Sequence, residues 1–184
     1  MPKVPTDVGT YYEDDMRYKY RKQYRLPYYN YASTNLYFIT ICTHQRQKIF
    51  GDISNGVMVL SEIGKCVERA WKKMNEVREY ASTDAFVLMP DHLHGIIRID
   101  NPDAPRTIER MEFRVQPRSL SSVVRDFKSA ATTSVRAMMH DPEYCLWQRK
   151  FHDRIIRNEK ELNAIRNYIE TNPIRWEEKR RSST

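Results

Sequence analysis

The run FVLMPDHLHGIIRI, residues 86–99, constrains the fold more than any other segment of the sequence. Two short apolar stretches flank a Pro-Asp pair that is typical of a turn, so we predict strands over residues 85–89 and 92–99 that pair as a hairpin. Because side chains two positions apart share one face of a strand, His92 and His94 point to the same side, and the apolar residues that alternate with them point into the core. The hairpin therefore buries one face and carries two imidazoles on the other.

The two histidines have two interpretations. Imidazole is a common ligand of divalent ions, and a pair on one rigid wall is a natural start to a metal site. Two ligands do not complete a coordination shell, however, and a His-x-His motif by itself more often belongs to surface or structural histidines. A second group of chemically active side chains is needed to decide between these interpretations.

A helix near the C-terminus supplies such a group. Asn158, followed three residues later by Glu161, forms a capping-box-like start. An apolar stripe follows at helical spacing, formed by Leu162, Ile165 and Ile169. Because the residue before a proline is biased away from helical geometry, we expect Pro173 to end this helix near Thr171.

Tyr168 and Asn172 lie on or just beyond this helix and off its apolar stripe. Residues four apart on a helix are neighbours, so the Asn172 carboxamide is expected near the Tyr168 phenol, either on the helix or in the turn that ends it. A phenol, an amide oxygen and the imidazoles of His92 and His94 can then face one ion. The alternative for Tyr168 is an aromatic ring at the edge of the core with a solvated hydroxyl.

The remaining periodicity predicts one more strand and two more helices. Residues 36–42, LYFITIC, are rich in β-branched and aromatic side chains, as in a strand. Apolar residues recur at helical spacing over residues 60–78, with Ser61 available as a cap, and again from about Ser119. Residues 101–118 contain three prolines among polar residues, which predicts a long loop.

The composition limits the compartment and the class of partner. Lys and Arg total 31 against 24 Asp and Glu, which leaves a net charge of +7 and an isoelectric point near 9.3. This excess suits a nucleic-acid partner, although many ordinary basic proteins share it. The three cysteines form no Cys-x-x-Cys pair, and no run approaches the roughly 20 apolar residues that cross a bilayer. We therefore expect a soluble, cytoplasmic protein with no disulfide framework, no zinc ribbon and no membrane partner.

Residues 1–30 form a predicted basic N-terminal arm, in which tyrosines are interleaved with lysines and arginines from residue 11 onward. Aromatic rings and basic grooves occur together in single-strand binders, but a solvated terminal tail has the same composition. The candidate DNA contacts lie in this arm and elsewhere on the surface: Arg17, Lys19, Arg21, Lys22, Arg25, Lys72, Lys73, Arg125, Lys128, Arg136, Arg149 and Arg154. For each of them a solvated surface charge is the alternative.

Five segments of the chain resemble the HUH-type single-tyrosine transposases, most closely those associated with repetitive extragenic palindromes. The segments are LYFITICTHQRQKIFG, FVLMPDHLHGIIRI, SLSSVVRDFKSAATTSVR, LWQRKFHDRIIRNEKEL and IRNYIETNPIRW, and they fall in this order between residues 36 and 176. A His-hydrophobic-His strand is modestly specific, and its joint occurrence with Tyr-Ile-x-x-Asn-Pro at this distance is much more so. The resemblance implies an α+β fold, a ferredoxin-like antiparallel sheet with helices packed on it. We assign residues 31–176 to this single domain and 177–184 to a charged C-terminal tail.

The resemblance also implies a role for each matching residue. His92 and His94 correspond to metal ligands, Asn172 to a third, amide-type ligand, and Tyr168 to the nucleophile. Mixed nitrogen and oxygen ligands suit Mg²⁺ or Mn²⁺.

Two positions depart from the family pattern. Many relatives carry a histidine where this chain has Arg154, and His152 lies two residues earlier. Asp91 stands where asparagine is frequent, a change that we expect to affect the turn more than the chemistry.

The implied activity is metal-dependent cleavage and rejoining of single-stranded DNA next to a hairpin, through a 5′-phosphotyrosine. A phenol with an ordinary pKa of about 10 is a poor nucleophile at neutral pH, so a cation near the phosphate has a clear chemical purpose. Two alternatives remain open. One is a module that binds hairpin DNA or RNA without cutting it, and the other is an unrelated metal-dependent hydrolase. Enzymes of this kind are homodimers or monomers, and no interface pattern in the sequence decides between these states.

Overall fold

The computed structural model describes residues 28–108 and 116–182. The order of its elements is β1 Asn35–Cys42, β2 Gly51–Ser54, β3 Val57–Leu60, α1 Glu62–Lys72, α2 Met74–Val77, β4 Ala81–Met89, β5 His92–Ile99, α3 Leu120–Met139, β6 His152–Ile156 and α4 Glu159–Ser182. A short 3₁₀ turn, His44–Arg46, follows β1. Among the described helices, none is both long and apolar enough to span a bilayer.

Four of the strands form one antiparallel sheet in the order β4-β5-β1-β6. The predicted hairpin is its β4–β5 pair, and β5 also pairs along its whole length with β1. Strands β2 and β3 form a separate two-stranded hairpin. The predicted α+β class, an antiparallel sheet with helices packed on it, is therefore confirmed.

The sheet is covered on both faces. On one face, Tyr37, Ile39 and Ile41 of β1 pack with apolar side chains of α1 and α3 in the larger core cluster. On the opposite face, the predicted stripe of α4 packs against Ile96 of β5 and Ile156 of β6. The central strand β5 is consequently buried from both sides, as expected for a strand between two helical layers.

Gly95 allows β5 to lie close to the larger core. A β-carbon built on Gly95 would meet the Cη2 and Cζ2 atoms of the Trp71 ring at 2.5 Å. Trp71 is fully buried and also stacks on Phe86 of the neighbouring strand. The glycine after the second histidine is thus required by the packing of a large ring on the histidine strand.

Several predicted boundaries shift. The helix expected over residues 60–78 is divided into α1 and α2, and Leu60 belongs to β3 because the hairpin runs directly into the cap. Ser61 is the predicted cap, and its hydroxyl accepts the Gly64 N–H at 3.0 Å. Strand β4 begins at Ala81 rather than at residue 85.

The two later helices begin where they were predicted. Ser119 caps α3, and the Asn158 carboxamide accepts the Glu161 N–H at 2.9 Å at the start of α4. The described parts of the expected loop, residues 101–108 and 116–118, form no helix or strand.

The prediction that Pro173 ends the last helix is wrong. Helix α4 continues through Pro173 to Ser182, so residues 177–182 of the expected charged tail are helical. A proline inside a helix lacks an N–H donor and is unfavourable by itself, so other contacts must hold the second half of α4.

Those contacts come from the β2–β3 hairpin. The Glu177 carboxylate accepts the Gly56 N–H at 2.8 Å, and Arg180 lies 3.2 Å from the Asp52 carboxylate. A β-carbon on Gly56 would meet Ile174 at 2.9 Å, which shows how closely the hairpin turn approaches α4. Tertiary packing therefore overrides the local signal of the proline.

Replacement of Gly95 by alanine is expected to lower the free energy of unfolding by about 1–3 kcal/mol, because the added methyl group forces the Trp71 ring out of its position. Urea denaturation measures this change. Arg98→Ala, at an exposed position of the same strand, is the matched control and should be close to neutral. Equal stability of the two variants would contradict the packing described for Gly95.

A bidentate ion pair fastens α4 to β4 and makes the stability of the fold depend on pH. Arg166 donates to both carboxylate oxygens of Asp84, at 2.9 and 2.6 Å. The hydrogen bond from Arg166 holds the pKa of Asp84 below its ordinary value of 3.8. A lowered pKa in the folded state stabilises the fold above pH 3.8, and this stabilisation is lost as the pH falls through the lowered value.

Asp84→Asn should accordingly lower the melting temperature at pH 7, and the difference from the unmodified chain should disappear in acid below pH 3.8. Thermal denaturation followed by circular dichroism across this pH range measures it. Glu170→Gln, on an exposed position of the same helix, serves as the control. A difference that stayed constant with pH would refute the ionic contribution.

Candidate active site

Strand β5 brings the two predicted imidazoles together. His92 and His94 are buried, and their Nε2 atoms lie 3.1 Å apart. Both point to the face of the sheet that α4 covers, because Ile96, two residues further along the strand, packs against the apolar stripe of that helix. The predicted common orientation of the two side chains is thus present in the structure.

The outer nitrogen of each imidazole is held by an oxygen. His92 Nδ1 lies 2.5 Å from an oxygen of Asp91, and His94 Nδ1 lies 2.8 Å from the Thr40 hydroxyl of β1. An ionised carboxylate can only accept, so Asp91 accepts the Nδ1–H of His92, and the Nε2 atom of His92 is directed at His94. Such contacts fix the tautomer and the ring orientation of metal-binding histidines.

The surroundings of the histidine pair shift the pKa values of His94 and Asp91. Burial, together with the neighbouring His92 and Arg46, lowers the pKa of His94 well below its ordinary value, so His94 is a neutral imidazole at pH 7. Burial opposes ionisation of Asp91, but the hydrogen bond from His92 and the charges of His92 and Arg46 outweigh it and lower the pKa of Asp91. The site therefore combines a neutral ligand-type nitrogen with a fixed carboxylate.

The spacing of the two nitrogens fits a common ion. Adjacent ligands with bonds of about 2.1 Å lie about 3.0 Å apart on an octahedral ion and about 3.4 Å apart on a tetrahedral one. The 3.1 Å separation of the Nε2 atoms falls in this range. The described residues contain no group of three or more His, Cys, Asp or Glu side chains that could hold a metal. Within these residues, any third protein ligand to an ion at the histidine pair would be of another type.

Helix α4 places Tyr168 beside the histidines. Its hydroxyl lies 3.4 Å from His94 Nε2, and its ring meets the His94 ring at a centroid distance of 5.3 Å. Phe38 of β1 stacks on His94 and meets the edge of the Tyr168 ring, which packs the three rings together. The phenol from the C-terminal helix and the imidazoles from the middle of the chain thus converge in space.

Asn172 lies one helical turn after Tyr168 and one turn before Trp176. The Trp176 ring lies 5.8 Å from the His92 ring, just as the Tyr168 ring lies against His94. Residues at this spacing share one side of a helix, so Asn172 is on the side of α4 that faces the pair, and it is buried there. Because α4 continues through Pro173, Asn172 has helical rather than turn geometry.

Arg46 is a charged residue of the site that the sequence did not single out. Its guanidinium donates to the Cys42 Sγ at 3.2 Å and lies 3.7 Å from the Asp91 carboxylate, and about half of its side chain is exposed. The position of Arg46, directly after β1 in the polar run THQRQK, was the only available signal. Its neighbour Asp91 also matters more than expected, because its carboxylate contacts His92 and does more than shape the turn.

The two further positions of interest lie on β6. His152 pairs with Thr40 in the register, and Thr40 pairs with His94, so His152 is two strands away from the candidate ligand. Arg154 lies 2.5 Å from the Glu161 carboxylate of α4. Arg154 therefore links β6 to the helix that carries Tyr168.

The predicted DNA-binding cations have different environments. The five in the arm, from Arg17 to Arg25, lie outside the described residues. Arg149 is exposed, and Arg125 lies 3.1 Å from the Asp126 carboxylate. The Lys128 ammonium donates to the carbonyl oxygens of Gln148 and Arg149 at 2.6 and 3.2 Å, and burial lowers its pKa.

The remaining candidate cations, at the C-terminal ends of α1 and α3, are similar. Lys72 pairs with Glu68 at 3.1 Å, Arg136 donates to the Tyr144 carbonyl at 3.1 Å, and Lys73 is exposed. Contact with a phosphate thus stays a prediction for each of these residues, and Lys128 and Arg136 have structural partners as well.

Comparison with known proteins finds two relatives in one organism. No protein-family model matches the chain. An uncharacterised protein of Haemophilus influenzae is 35% identical over 166 residues, 86% of this chain and 91% of that protein. A second protein of the same organism, provisionally named a REP-associated tyrosine transposase, is 25% identical over 147 residues, 79% of this chain and 74% of that protein. The chain belongs to one family with the first of these proteins, and the second, at lower identity, carries the family name that the sequence motifs predict.

The fold of the family is also present among solved structures. The structure of a REP-associated tyrosine transposase bound to a REP hairpin matches with a TM-score of 0.54 at 21% identity, over 84% of this chain and 74% of that one. This likeness establishes a shared fold.

Proposed function

We propose that the chain is a metal-dependent transposase that cleaves and rejoins single-stranded DNA beside a hairpin, with Tyr168 as its nucleophile. The observation that carries this proposal is the convergence of three groups: the Tyr168 hydroxyl lies 3.4 Å from His94 Nε2, and His94 Nε2 lies 3.1 Å from His92 Nε2. The two sides of this contact come from different elements, strand β5 and helix α4, and lie 74 residues apart in the sequence.

Hairpin DNA is the proposed partner. A solved member of the fold is bound to a REP hairpin, and this chain carries a net charge of +7 that favours a phosphate backbone. The exposed cations Arg149 and Lys150 lie in the segment between α3 and β6, close in sequence to the edge strand of the sheet.

His92, His94 and the Asn172 carboxamide are the residues that would hold Mg²⁺ or Mn²⁺. Two imidazole nitrogens and an amide oxygen suit these ions, and Mn²⁺ accepts imidazole more readily. When bound, such an ion supplies a positive charge that polarises the scissile phosphate. Thr40 and Asp91 orient the imidazoles, and Arg46 adds a fixed positive charge beside them.

Tyr168 performs the covalent step. Its phenol oxygen forms a bond to phosphorus, and the bond from phosphorus to the 3′ oxygen of the preceding nucleotide breaks. The phenol loses its proton and the departing 3′ oxygen gains one, so the products are a 5′-phosphotyrosine and a free 3′-hydroxyl. Because the phosphodiester energy is retained, attack by the 3′-hydroxyl of another strand reverses the step and joins the DNA without ATP.

A covalent adduct tests this proposal directly. Labelled single-stranded hairpin DNA incubated with the full chain and Mn²⁺ should give a slow-migrating band on a denaturing gel, and protease treatment should remove it. Tyr168→Phe should abolish the band, since the phenylalanine ring lacks the oxygen. His92→Ala should reduce it by at least about 100-fold, as expected for loss of a ligand to a catalytic ion.

Tyr144→Phe provides the matched control, because it removes a half-buried phenol outside the site. Cleavage that persists in Tyr168→Phe without an adduct would instead indicate a hydrolase in which water attacks. Binding of the hairpin with neither cleavage nor adduct would indicate a binding module.

Asp91 should control the affinity of the site for metal. Removal of a carboxylate that holds a ligating histidine weakens metal binding by about 10- to 100-fold, so Asp91→Ala is expected to raise the Mn²⁺ dissociation constant by this factor. Asp91→Asn, which keeps an oxygen for His92, should have a smaller effect. Isothermal titration calorimetry of the DNA-free chain measures both.

Asp100→Asn, at the exposed residue that follows β5, controls for a general loss of negative charge. An unchanged dissociation constant in Asp91→Ala would show that the Asp91–His92 contact does not orient the ligand.

A further inference from the structure

Trp176 has no role in the core. It is half-buried on α4 and belongs to neither hydrophobic cluster, whereas Trp71 and Trp147 are buried in the larger one. Its neighbours along the helix, Arg175 and Glu177, are polar. A half-buried tryptophan that lies outside both core clusters has surface free for a ligand.

The surroundings of this ring are those of the candidate active site. The Trp176 ring lies 5.8 Å from the His92 ring, with the ring planes inclined at 45°. The exposed Lys48 places its ammonium 5.9 Å from the indole centroid. Lys48 belongs to the polar loop that also carries Arg46, so one loop delivers one cation to the histidines and another to the indole.

Tyr168 and Trp176 flank the side of α4 that faces the histidine pair. Each lies one helical turn from Asn172, and each packs against one of the two histidines. A phosphate positioned for attack by Tyr168 would therefore have the indole on the far side of the histidine pair. The next base along a single strand is the nearest flat, apolar group that could cover this indole.

We propose that Trp176 and Lys48 form a binding subsite for one unpaired nucleotide adjacent to the cleaved phosphate. The base stacks on the exposed part of the Trp176 ring, and Lys48 contacts the phosphate that follows. Aromatic stacking accepts any base, because every base has a flat π-face, so this subsite holds the strand in register without reading its sequence. The inference rests on the proposed function for the position of the phosphate.

A double-mutant cycle that combines substitution of Trp176 with removal of one base of the DNA tests the subsite. All proteins carry Tyr168→Phe, so that binding is measured without covalent trapping. The probe is a fluorescent stem-loop oligonucleotide with single-stranded flanks, selected for binding to the full chain from a pool of randomised flanks. Copies of this probe lack the base at one flank position at a time, and fluorescence anisotropy gives each dissociation constant.

With Trp176 present, loss of the base at one flank position should weaken binding by about 5- to 100-fold. Trp176→Ala should weaken binding of the intact probe by a similar factor. In this variant, loss of the base at the same flank position should leave the dissociation constant unchanged. Trp176→Phe should recover part of the affinity, because it keeps an aromatic face. Lys48→Ala should weaken binding and reduce the slope of log affinity against log salt by about one.

Met139→Ala is the matched control, since it trims an exposed apolar residue at the end of α3, outside the site. Its dissociation constants should equal those of the parent. The inference is overturned if Trp176→Ala stays as sensitive as the parent to every missing base, whatever its overall affinity. Thermal denaturation of each variant confirms that the fold is retained.

This outcome is separate from that of the proposed function. An adduct at Tyr168 with no coupling between Trp176 and any base would support the proposed enzyme and refute the subsite. Coupling without an adduct would support the subsite as part of a DNA-binding module and refute the proposed enzymatic activity.

Discussion

The packing of α4 across the sheet is the interaction on which the candidate active site depends. Its apolar stripe contacts Ile96 and Ile156, and the Arg166–Asp84 pair fastens it to β4. The histidine pair is fixed in the sheet without α4, but the phenol and the amide reach it only through this helix. The continuation of α4 beyond Pro173 extends the same side of the helix over His92, so the side chains that face the histidine pair span several turns of α4.

Strand β5 serves the core and the site at once. Its odd-numbered side chains and Gly95 pack on the larger core, while His92 and His94 face α4. Because side chains alternate strictly along a strand, a shift of register would move the core residues and the histidines to the wrong faces together. The close approach of Trp71 to Gly95 sets how near β5 lies to the larger core. The imidazoles are further fixed by Thr40 and Asp91, so little reorganisation would be needed to bind the proposed ion.

Local patterns predicted the parts of the fold that depend on neighbours in sequence. The period of two in the β5 segment gave the orientation of the histidines, and the caps at Ser119 and Asn158 gave the starts of two helices. The misplaced end of α4 depended on contacts with a hairpin more than a hundred residues earlier, which no local signal contains. Arg46 was missed for the same reason, since its relation to Asp91 arises only when the loop after β1 meets the β4–β5 turn.

The most direct test of this account is the position of a metal in the folded chain. Crystals soaked in Mn²⁺ and measured at a wavelength where manganese scatters anomalously should show a peak within bonding distance of both histidine Nε2 atoms and of the Asn172 amide oxygen. The Tyr168 hydroxyl should lie beside that peak. A histidine pair without a peak, or a peak from which the Tyr168 hydroxyl is turned away, would contradict the convergence on which the proposed chemistry is based.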